Sequence, residues 1–183
     1  EPPFDTTDDV KYVSAALDYL NENYNVDQSR LYAVGFSEGG SFVHALVNAL
    51  PEKFAAIATV EGWMTGKETG ASGAISELQI VGTKDSVVPP GGTDGLAASG
   101  KSLNHGGPLG VSLALPSLLL AAVQRDGIYI ESANYALNYY RKIDGMTEVI
   151  CDSNNTVTVR KVGDSTYLSY RNPLNGTEVA QIT

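Results

Sequence analysis

A single serine stands at the centre of the segment Gly35-Phe36-Ser37-Glu38-Gly39, between an apolar run and a helical run. The run 31–34 has the composition of a buried strand, and residues 40–50 have the pattern of a buried helix. The flanking glycines permit a tight strand-to-helix turn, and a helix start places N–H groups and a positive dipole beside the hydroxyl. This arrangement predicts a nucleophile elbow with Ser37 as the nucleophile. The alternative is a glycine-rich turn in which Ser37 only caps the helix.

An acid partner for the serine is expected at the end of a later strand. A serine hydroxyl is a weak nucleophile until a base accepts its proton and an acid holds that base in the right tautomer. Asp85 follows a short apolar strand at 78–81 and would lie at the same edge of a parallel sheet as Ser37. Asp94 and Asp126 follow no convincing strand. The sequence therefore favours Asp85 as the acid, with an ordinary turn aspartate as the alternative.

The base is harder to place, because the chain has only two histidines. His44 lies seven residues after Ser37 in the predicted helix, about 10 Å along its axis, and is interpreted as a core or surface histidine. His105 preserves the order serine, acid, histidine, but no strand precedes it to return the chain to the sheet edge. A base in this kind of sheet follows the last strand. We therefore expect the histidine beyond Thr183 and keep His105 as a weaker candidate.

The elements that must position these residues alternate between helix and strand. Apolar residues three and four apart predict an amphipathic helix over 6–24. Apolar strands are predicted at 30–34, 55–60 and 78–81, with the elbow helix between the first two. Such alternation predicts the α/β class, with a mostly parallel sheet and helices on both faces.

The last half of the chain changes character. Residues 92–130 predict a variable loop with helical insertion, including a helix at 113–124. A further helix is predicted at 132–141, and we expect the two helices to cover the sheet edge. Alternating residues then predict an antiparallel hairpin followed by one more strand. These strands span 156–162, 167–171 and 178–182.

Composition excludes several classes of protein. The 183 residues are 43% hydrophobic, which is enough to bury the core of a single domain. A net charge of -9 with scattered lysines and arginines argues against nucleic acid as a partner. The longest apolar run, 111–123, is interrupted and too short to cross a bilayer, so no membrane partner is expected. The single cysteine, Cys151, excludes an internal disulfide or a multi-cysteine metal site, and no metal or cofactor is expected.

Four segments together resemble the esterase family of poly(3-hydroxybutyrate) depolymerases and feruloyl or acetylxylan esterases. They span 8–13, 24–40, 50–58 and 81–89. Members of that family are α/β-hydrolases, so the resemblance implies a partial α/β-hydrolase fold with an antiparallel hairpin near the C-terminus. Carried over residue by residue, it implies Ser37 as the nucleophile, Asp85 as the acid and the backbone N–H of Glu38 as one oxyanion donor.

Two parts of the family's site have no match in this sequence. No residue matches the catalytic histidine, and the family's strands before the first helix, which supply the second oxyanion N–H, have no counterpart. We therefore expect residues 1–183 to form a single partial domain. Its partners would be the remaining segments of its parent protein or an assembly, and the isolated chain would turn over little or no ester.

The leading hypothesis is a serine carboxylic-ester hydrolase that works through an acyl-enzyme. Trp63 and Met64 follow the second strand at the same edge and are candidate substrate-binding residues, with simple packing as the alternative. The resemblance implies feruloyl or acetyl esters of polysaccharide, or a polyhydroxyalkanoate, as substrates, and an extracellular location. The competing hypothesis is a non-catalytic structural or binding module of hydrolase ancestry in a larger assembly.

Overall fold

The computed structural model describes residues 7–66, 68, 73–85, 88, 90–92, 133–143, 156–172 and 174–183. Several predictions lie outside these residues. They concern the loop at 93–130, its helix at 113–124, Asp94, His105, Asp126 and Cys151. Within the described ranges, no helix has the length and apolarity needed to span a membrane. The same residues contain no cluster of three histidine, cysteine or acidic side chains that could hold a metal ion.

A six-stranded sheet forms the centre of the described fold. Its strands are β1 (Tyr32–Phe36), β2 (Ala56–Val60), β3 (Ser76–Ile80), β4 (Thr156–Val162), β5 (Ser165–Arg171) and β6 (Glu178–Ile182). The spatial order is β1-β2-β3-β6-β5-β4. The first four strands in this order run parallel, whereas β5 and β4 add to them in antiparallel fashion. The mostly parallel sheet and the C-terminal hairpin are both confirmed.

In the described part of the chain, the helices beside the sheet are α1 (Thr7–Asn23), α2 (Glu38–Ala49) and α3 (Ala133–Ile143). The α2 and α3 helices pack on the same face, where the ring of His44 meets the hydroxyl of Tyr140 at 2.9 Å. On the opposite face of β1, the exposed side chains are Tyr32, Val34 and Phe36. Among the described residues, α2 and α3 therefore cover one face of the sheet, and the opposite face of β1 is exposed.

The position of α3 on the sheet differs from its prediction. It packs on β3 and β6 in the middle of the sheet, not at an edge. The Gln181 side chain donates to the Ala133 carbonyl at 3.4 Å, and the guanidinium of Arg141 lies 3.9 Å from the centre of the Tyr170 ring. Helix α3 thus covers the part of the core that lies on β3 and β6.

Local hydrogen bonds explain why the first strand begins later than predicted. Asp27 accepts from the N–H of Ser29 at 3.0 Å and from the Arg30 guanidinium at 2.7 Å. These bonds hold residues Gln28–Arg30 in a 3-10 turn, so Arg30 is not part of the strand. The strand β1 instead continues to Phe36, directly before the serine.

The first helix is less buried than its amphipathic pattern predicts. None of its residues is fully buried, and Leu20 on its apolar stripe is 42% exposed. Its apolar residues Val10, Val13 and Leu17 are half-buried. The helix contacts α2, and its Asp18 forms an ion pair at 2.8 Å with Lys53 in the turn that follows α2. It therefore lies at the periphery of the described fold.

The hydrophobic core fills the space between the sheet and the α2 and α3 helices. Its buried members are Val43, Val47, Ile57, Met64, Ile75, Ala136, Leu137, Tyr140, Tyr170 and Val179. The same face carries buried polar side chains, which are unusual on parallel strands. They are Thr59, Glu77, Gln79 and Gln181. The core beneath the helices thus combines an apolar cluster with a row of polar groups.

Candidate active site

Ser37 occupies a sharp turn between β1 and α2. Its backbone angles are φ 55° and ψ -122°, which a non-glycine residue adopts only under strain. Its N–H donates to the carbonyl of Val60 at 2.8 Å, and its carbonyl accepts from the N–H groups of Gly40 and Ser41 at 2.9 and 3.2 Å. The hydroxyl makes no capping hydrogen bond. Ser37 therefore occupies the N-cap position of α2 but is held by its backbone, without the side-chain hydrogen bond of a helix cap.

Two backbone contacts require glycine at the elbow. A Cβ on Gly35 would lie 2.1 Å from the carbonyl oxygen of Gly39. A Cβ on Gly40 would lie 2.8 Å from the Cα of Gly62, which follows β2. A Cβ on Gly39 would meet nothing within 4 Å. The close approach of strand and helix thus depends on Gly35, and the contact of the helix with the next loop depends on Gly40 and Gly62.

Glu38 is the first residue of α2, and its side chain is exposed. The first N–H groups of a helix have no carbonyl acceptor within the helix, and they carry the positive end of its dipole. The Glu38 N–H belongs to this first turn and directly follows the serine, which is where the predicted oxyanion donor is expected. Its role in a reaction stays a prediction.

The C-terminal ends of the parallel strands are in register, and the side of the sheet that they form is called the active edge below. The aligned final residues are Phe36, Val60, Ile80 and Ile182. Ser37 directly follows the first of these strands and Asp85 lies in the loop after the third, and those two strands are two strand spacings apart, about 10 Å. A histidine that approached this edge would lie between a hydroxyl and a carboxylate. The structure therefore brings the predicted nucleophile and acid to a common edge.

Asp85 is fixed by the turn that follows β3. Its N–H donates to the Gly82 carbonyl at 3.1 Å, and its Oδ1 accepts from the N–H of Val88 at 2.9 Å. The residue is half-buried. These bonds orient the carboxylate, which suits the predicted acid, but a turn aspartate makes the same bonds. Its part in catalysis stays a prediction.

Glu61, immediately after β2, is a site residue that sequence reasoning missed. It has φ 51°, and its Oε1 accepts from the N–H of Gly82 at 2.6 Å. Burial raises the pKa of the Glu61 carboxyl, the Gly82 N–H opposes that rise, and the neighbouring Asp85 carboxylate adds to it. The signal available in the sequence was an acidic residue directly after β2, the strand that lies between β1, which precedes Ser37, and β3, which precedes Asp85.

Trp63 and Met64 are both buried, at 6% and 1% exposure. The N–H of Trp63 donates to the Ser41 hydroxyl at 3.1 Å, which ties this loop to α2. Trp63 lines a cavity of about 10 Å³ at the active edge, far smaller than the ~300–1,000 Å³ of typical ligand sites. Met64 belongs to the hydrophobic core. Both side chains are packed in the structure, and a substrate-binding role for either stays a prediction.

His44 lies in the core and not at the active edge. It is 1% exposed, and its Nδ1 lies 2.9 Å from the Tyr140 hydroxyl and 3.9 Å from Oε1 of Glu77. Burial lowers its pKa to about 3, so the ring is neutral at pH 7. The interpretation of His44 as a core histidine is confirmed. It is the only histidine in the described ranges, so the described residues place no histidine at the sheet edge next to Ser37.

Comparison with known proteins places this site in a wider class. Residues 6–79, which include the elbow, β1, β2 and all but the last residue of β3, match the model of the prolyl oligopeptidase family. The chain is 32% identical over 82 residues to feruloyl esterase C of Emericella nidulans, which covers 45% of this chain and 30% of that protein. It is also 32% identical over 82 residues to a bifunctional acetylxylan esterase/xylanase of Neocallimastix patriciarum, covering 45% of this chain and 12% of the relative.

The sheet, the elbow and these matches show the α/β-hydrolase fold that the sequence predicts. The curated relatives named here are esterases, and the family model is that of a peptidase family within the same superfamily. The matched part of the chain spans less than a third of the length of either relative.

Proposed function

We propose that this chain supplies the nucleophile and the acid of a serine carboxylic-ester hydrolase. The observation that carries the proposal is the strained backbone of Ser37, whose hydroxyl makes no capping bond at a helix start. Strain of this kind persists where the surrounding structure enforces it, and it is concentrated at functional sites. The alignment of Asp85 at the same edge and the similarity to esterases support the same activity.

The reaction would pass through an acyl-enzyme. The Ser37 hydroxyl attacks the ester carbonyl carbon while a histidine accepts its proton, and Asp85 holds that histidine in the required tautomer. The oxyanion lies on the Glu38 N–H and on a second donor outside the described residues. The histidine then protonates the departing alcohol, and water, activated by the same histidine, releases the carboxylic acid and restores the serine. No cofactor takes part in these steps.

The similarity to feruloyl and acetylxylan esterases supports aromatic or acetyl esters of polysaccharide as the substrate class. A polyhydroxyalkanoate is the other ester suggested by the sequence. An extracellular location would fit polymeric substrates of either kind. The histidine is proposed to follow β6, because the end of that strand is aligned with those of β1 and β3 at the active edge.

A second function from another class is a non-catalytic module of hydrolase ancestry. It is favoured by one observation: the histidine within the described ranges faces the core and has no access to Ser37. In this function the remaining segments of the parent protein, or an assembly, would use the fold as a binding or structural unit. The two functions differ in whether Ser37 is ever activated.

Covalent labelling of the protein that contains this chain separates these functions. We expect a fluorophosphonate to label the wild type and p-nitrophenyl acetate to be hydrolysed faster than a peptide p-nitroanilide. Ser37→Ala should abolish labelling, and Asp85→Asn should lower kcat/KM by about 10⁴-fold because the base loses its tautomer and orientation. Ser165→Ala, at an exposed position on β5, should leave both readouts at the wild-type level.

Three results would contradict the proposal or its details. Absence of labelling in the wild type would support the non-catalytic module. Faster turnover of the peptide substrate would assign the site to amide hydrolysis. Loss of turnover in His105→Ala would identify that residue as the base, whereas a histidine that follows β6 predicts that His105→Ala retains turnover.

A further inference from the structure

The loops after β2 and β3 bring two carboxyl groups together at the active edge. Oε1 of Glu61 accepts from the N–H of Gly82 at 2.6 Å, and a Cβ on Gly82 would lie 2.7 Å from that Oε1 and 3.8 Å from the Cβ of Asp85. Glu61 and Asp85 thus both lie next to Gly82, and burial together with the charge and hydrogen bonding of Asp85 raises the pKa of the Glu61 carboxyl. Two ionised carboxylates so close would repel, so one shared proton is the stable arrangement.

The second oxygen of Glu61 indicates where that proton lies. Oε2 is buried and accepts no hydrogen bond from a donor within the described ranges. A buried carboxylate oxygen without a donor is costly, whereas a protonated oxygen becomes a donor itself. The neighbouring acceptor of suitable chemistry is the carboxylate of Asp85, which the Val88 N–H already holds at 2.9 Å.

Among the described residues, no cationic side chain lines the small cavity beside Glu61. The small cavity beside Glu61 is otherwise lined by uncharged residues. They are Gly62, Trp63, Val81, Val88, Pro90 and Ala133. Among the described groups, Asp85 is the titratable side chain that acts on Glu61, and the Lys84 side chain beside it in sequence is exposed.

The backbone also enforces this arrangement. Glu61 has φ 51°, its N–H donates to the Ile80 carbonyl at 2.9 Å, and the next residue is pressed against Gly40 of α2. The left-handed conformation therefore aims the side chain from the end of β2 across to the loop after β3. The strain is maintained by packing on both sides.

We propose that Glu61 is a positioning residue that carries the shared proton of a carboxyl–carboxylate pair and donates it as a hydrogen bond to Asp85. With Val88 and Glu61 both donating to it, the Asp85 carboxylate has one orientation toward the active edge. The catalytic consequence depends on the proposed ester hydrolase, but the pair itself does not. When Glu61 loses its proton at higher pH, repulsion replaces the hydrogen bond and Asp85 becomes less well fixed.

Titration of the carboxyl groups tests the pair without any activity. Glutamate labelled with ¹³C at Cδ is titrated by NMR, and the Glu61 signal is identified by its loss in Glu61→Gln. We expect its midpoint above 4.5, and Asp85→Asn should lower it because the neighbouring negative charge is removed. The matched control Glu22→Gln, on the exposed face of α1, should not move it. A Glu61 midpoint near 4.5, or one unaffected by Asp85→Asn, would contradict the shared proton between Glu61 and Asp85.

Fluorophosphonate labelling rates then test the positioning role. Glu61→Ala should slow labelling by about 10-fold or more, since a misplaced acid orients the base poorly. Glu61→Gln, which keeps a neutral donor, should recover most of this loss, and its rate relative to wild type should rise as pH passes the Glu61 midpoint. Equal losses in the two variants would overturn the role as proton carrier. A wild type that never labels would refute the ester hydrolase, and the NMR midpoints would still decide the pair.

Discussion

Ser37 and Glu61 share a backbone feature that links the chemistry to the fold. They are the two non-glycine residues with positive φ in the described ranges, and each directly follows one of two neighbouring parallel strands. Left-handed backbone is costly for such residues, by roughly 1–3 kcal/mol each. Its presence at both positions indicates that the active edge is held in shape by contacts around it, which glycines make possible.

The glycines of the elbow allow a prediction at the scale of one atom. Gly35→Ala should destabilise the protein by about 1–3 kcal/mol or more, because its Cβ would lie 2.1 Å from the Gly39 carbonyl oxygen. Gly39→Ala is the matched control, since its Cβ meets nothing within 4 Å and alanine favours a helix. Urea unfolding measures both, and equal free energies of unfolding for the two variants would contradict the steric explanation.

At the scale of elements, β6 is joined to β3 by side chains as well as by the backbone. The Gln181 amide donates to Oε1 of Gln79 at 2.7 Å on the helix-covered face. Both side chains are buried, so each depends on the other for part of its hydrogen bonding. This pair connects β6 to β3, the strand that precedes the predicted acid, and it thereby supports that side of the site.

A double-mutant cycle measures that connection. Gln181→Leu alone should cost about 1–3 kcal/mol of stability, because it leaves the buried Gln79 oxygen without its donor. Adding Gln79→Leu should recover much of that loss, since an apolar pair leaves no unsatisfied group. If the losses of unfolding free energy in the two single variants add up to the loss in the double variant, the two glutamines are not coupled.

The sequence predicted the type of nearly every described element, and its errors have identifiable physical causes. The predicted β3 began at Leu78 because buried parallel strands are normally apolar, whereas the structure includes Glu77 within it. Glu77 is tolerated because Thr59 donates to it at 3.5 Å beneath the helices. Partners of this kind are distant in sequence, so periodicity could not reveal them.

The site was predictable to a similar extent. Ser37 and Asp85 follow apolar strands, and the alignment of parallel strand ends brings them to one edge. Glu61 was missed because its significance depends on a φ of 51° and a contact with the loop after β3. Burial of Met64 depends on α3, which is distant in sequence. Local patterns predict which strand end a residue occupies, but not which neighbour it meets there.

At the scale of the whole molecule, the sheet has one covered face and a partly exposed one. The residues of β1 that face away from α2 are Tyr32, Val34 and Phe36, at 62%, 73% and 69% exposure. Exposed apolar side chains on an edge strand are unusual in a stable monomer. This exposure is consistent with the expectation of a partial domain, which stays a prediction.

The buried histidine should make the whole fold sensitive to acid. Burial lowers the pKa of His44 from 6.5 to about 3, so below pH 6.5 the unfolded chain binds a proton that the folded chain does not. Stability should therefore fall as pH decreases from 6.5 toward 3, with a contribution from this residue approaching ~1.4 kcal/mol per pH unit. Urea unfolding at several pH values measures this slope.

Two variants show whether that slope belongs to His44. His44→Leu should be less stable than wild type at pH 7, because Tyr140 loses its partner, but its stability should decline less between pH 6.5 and pH 4. His105→Ala should retain the wild-type slope. A slope that is unchanged in His44→Leu would assign the acid sensitivity to other groups.

The hydrogen bonds at the strand ends have a consequence for local unfolding. The N–H groups of Ser37, Glu61 and Val81 donate to the last carbonyls of the neighbouring strands, so the ladder continues one residue beyond each strand. The proposed nucleophile, Ser37, and the residue proposed to position its acid, Glu61, therefore belong to the cooperative unit of the sheet and not to the loops that follow. Displacing either would require opening of the strands themselves, which is among the costliest fluctuations of a folded protein. Loops beyond these residues can consequently vary in sequence and length, and so in substrate preference, while the geometry at the serine is preserved.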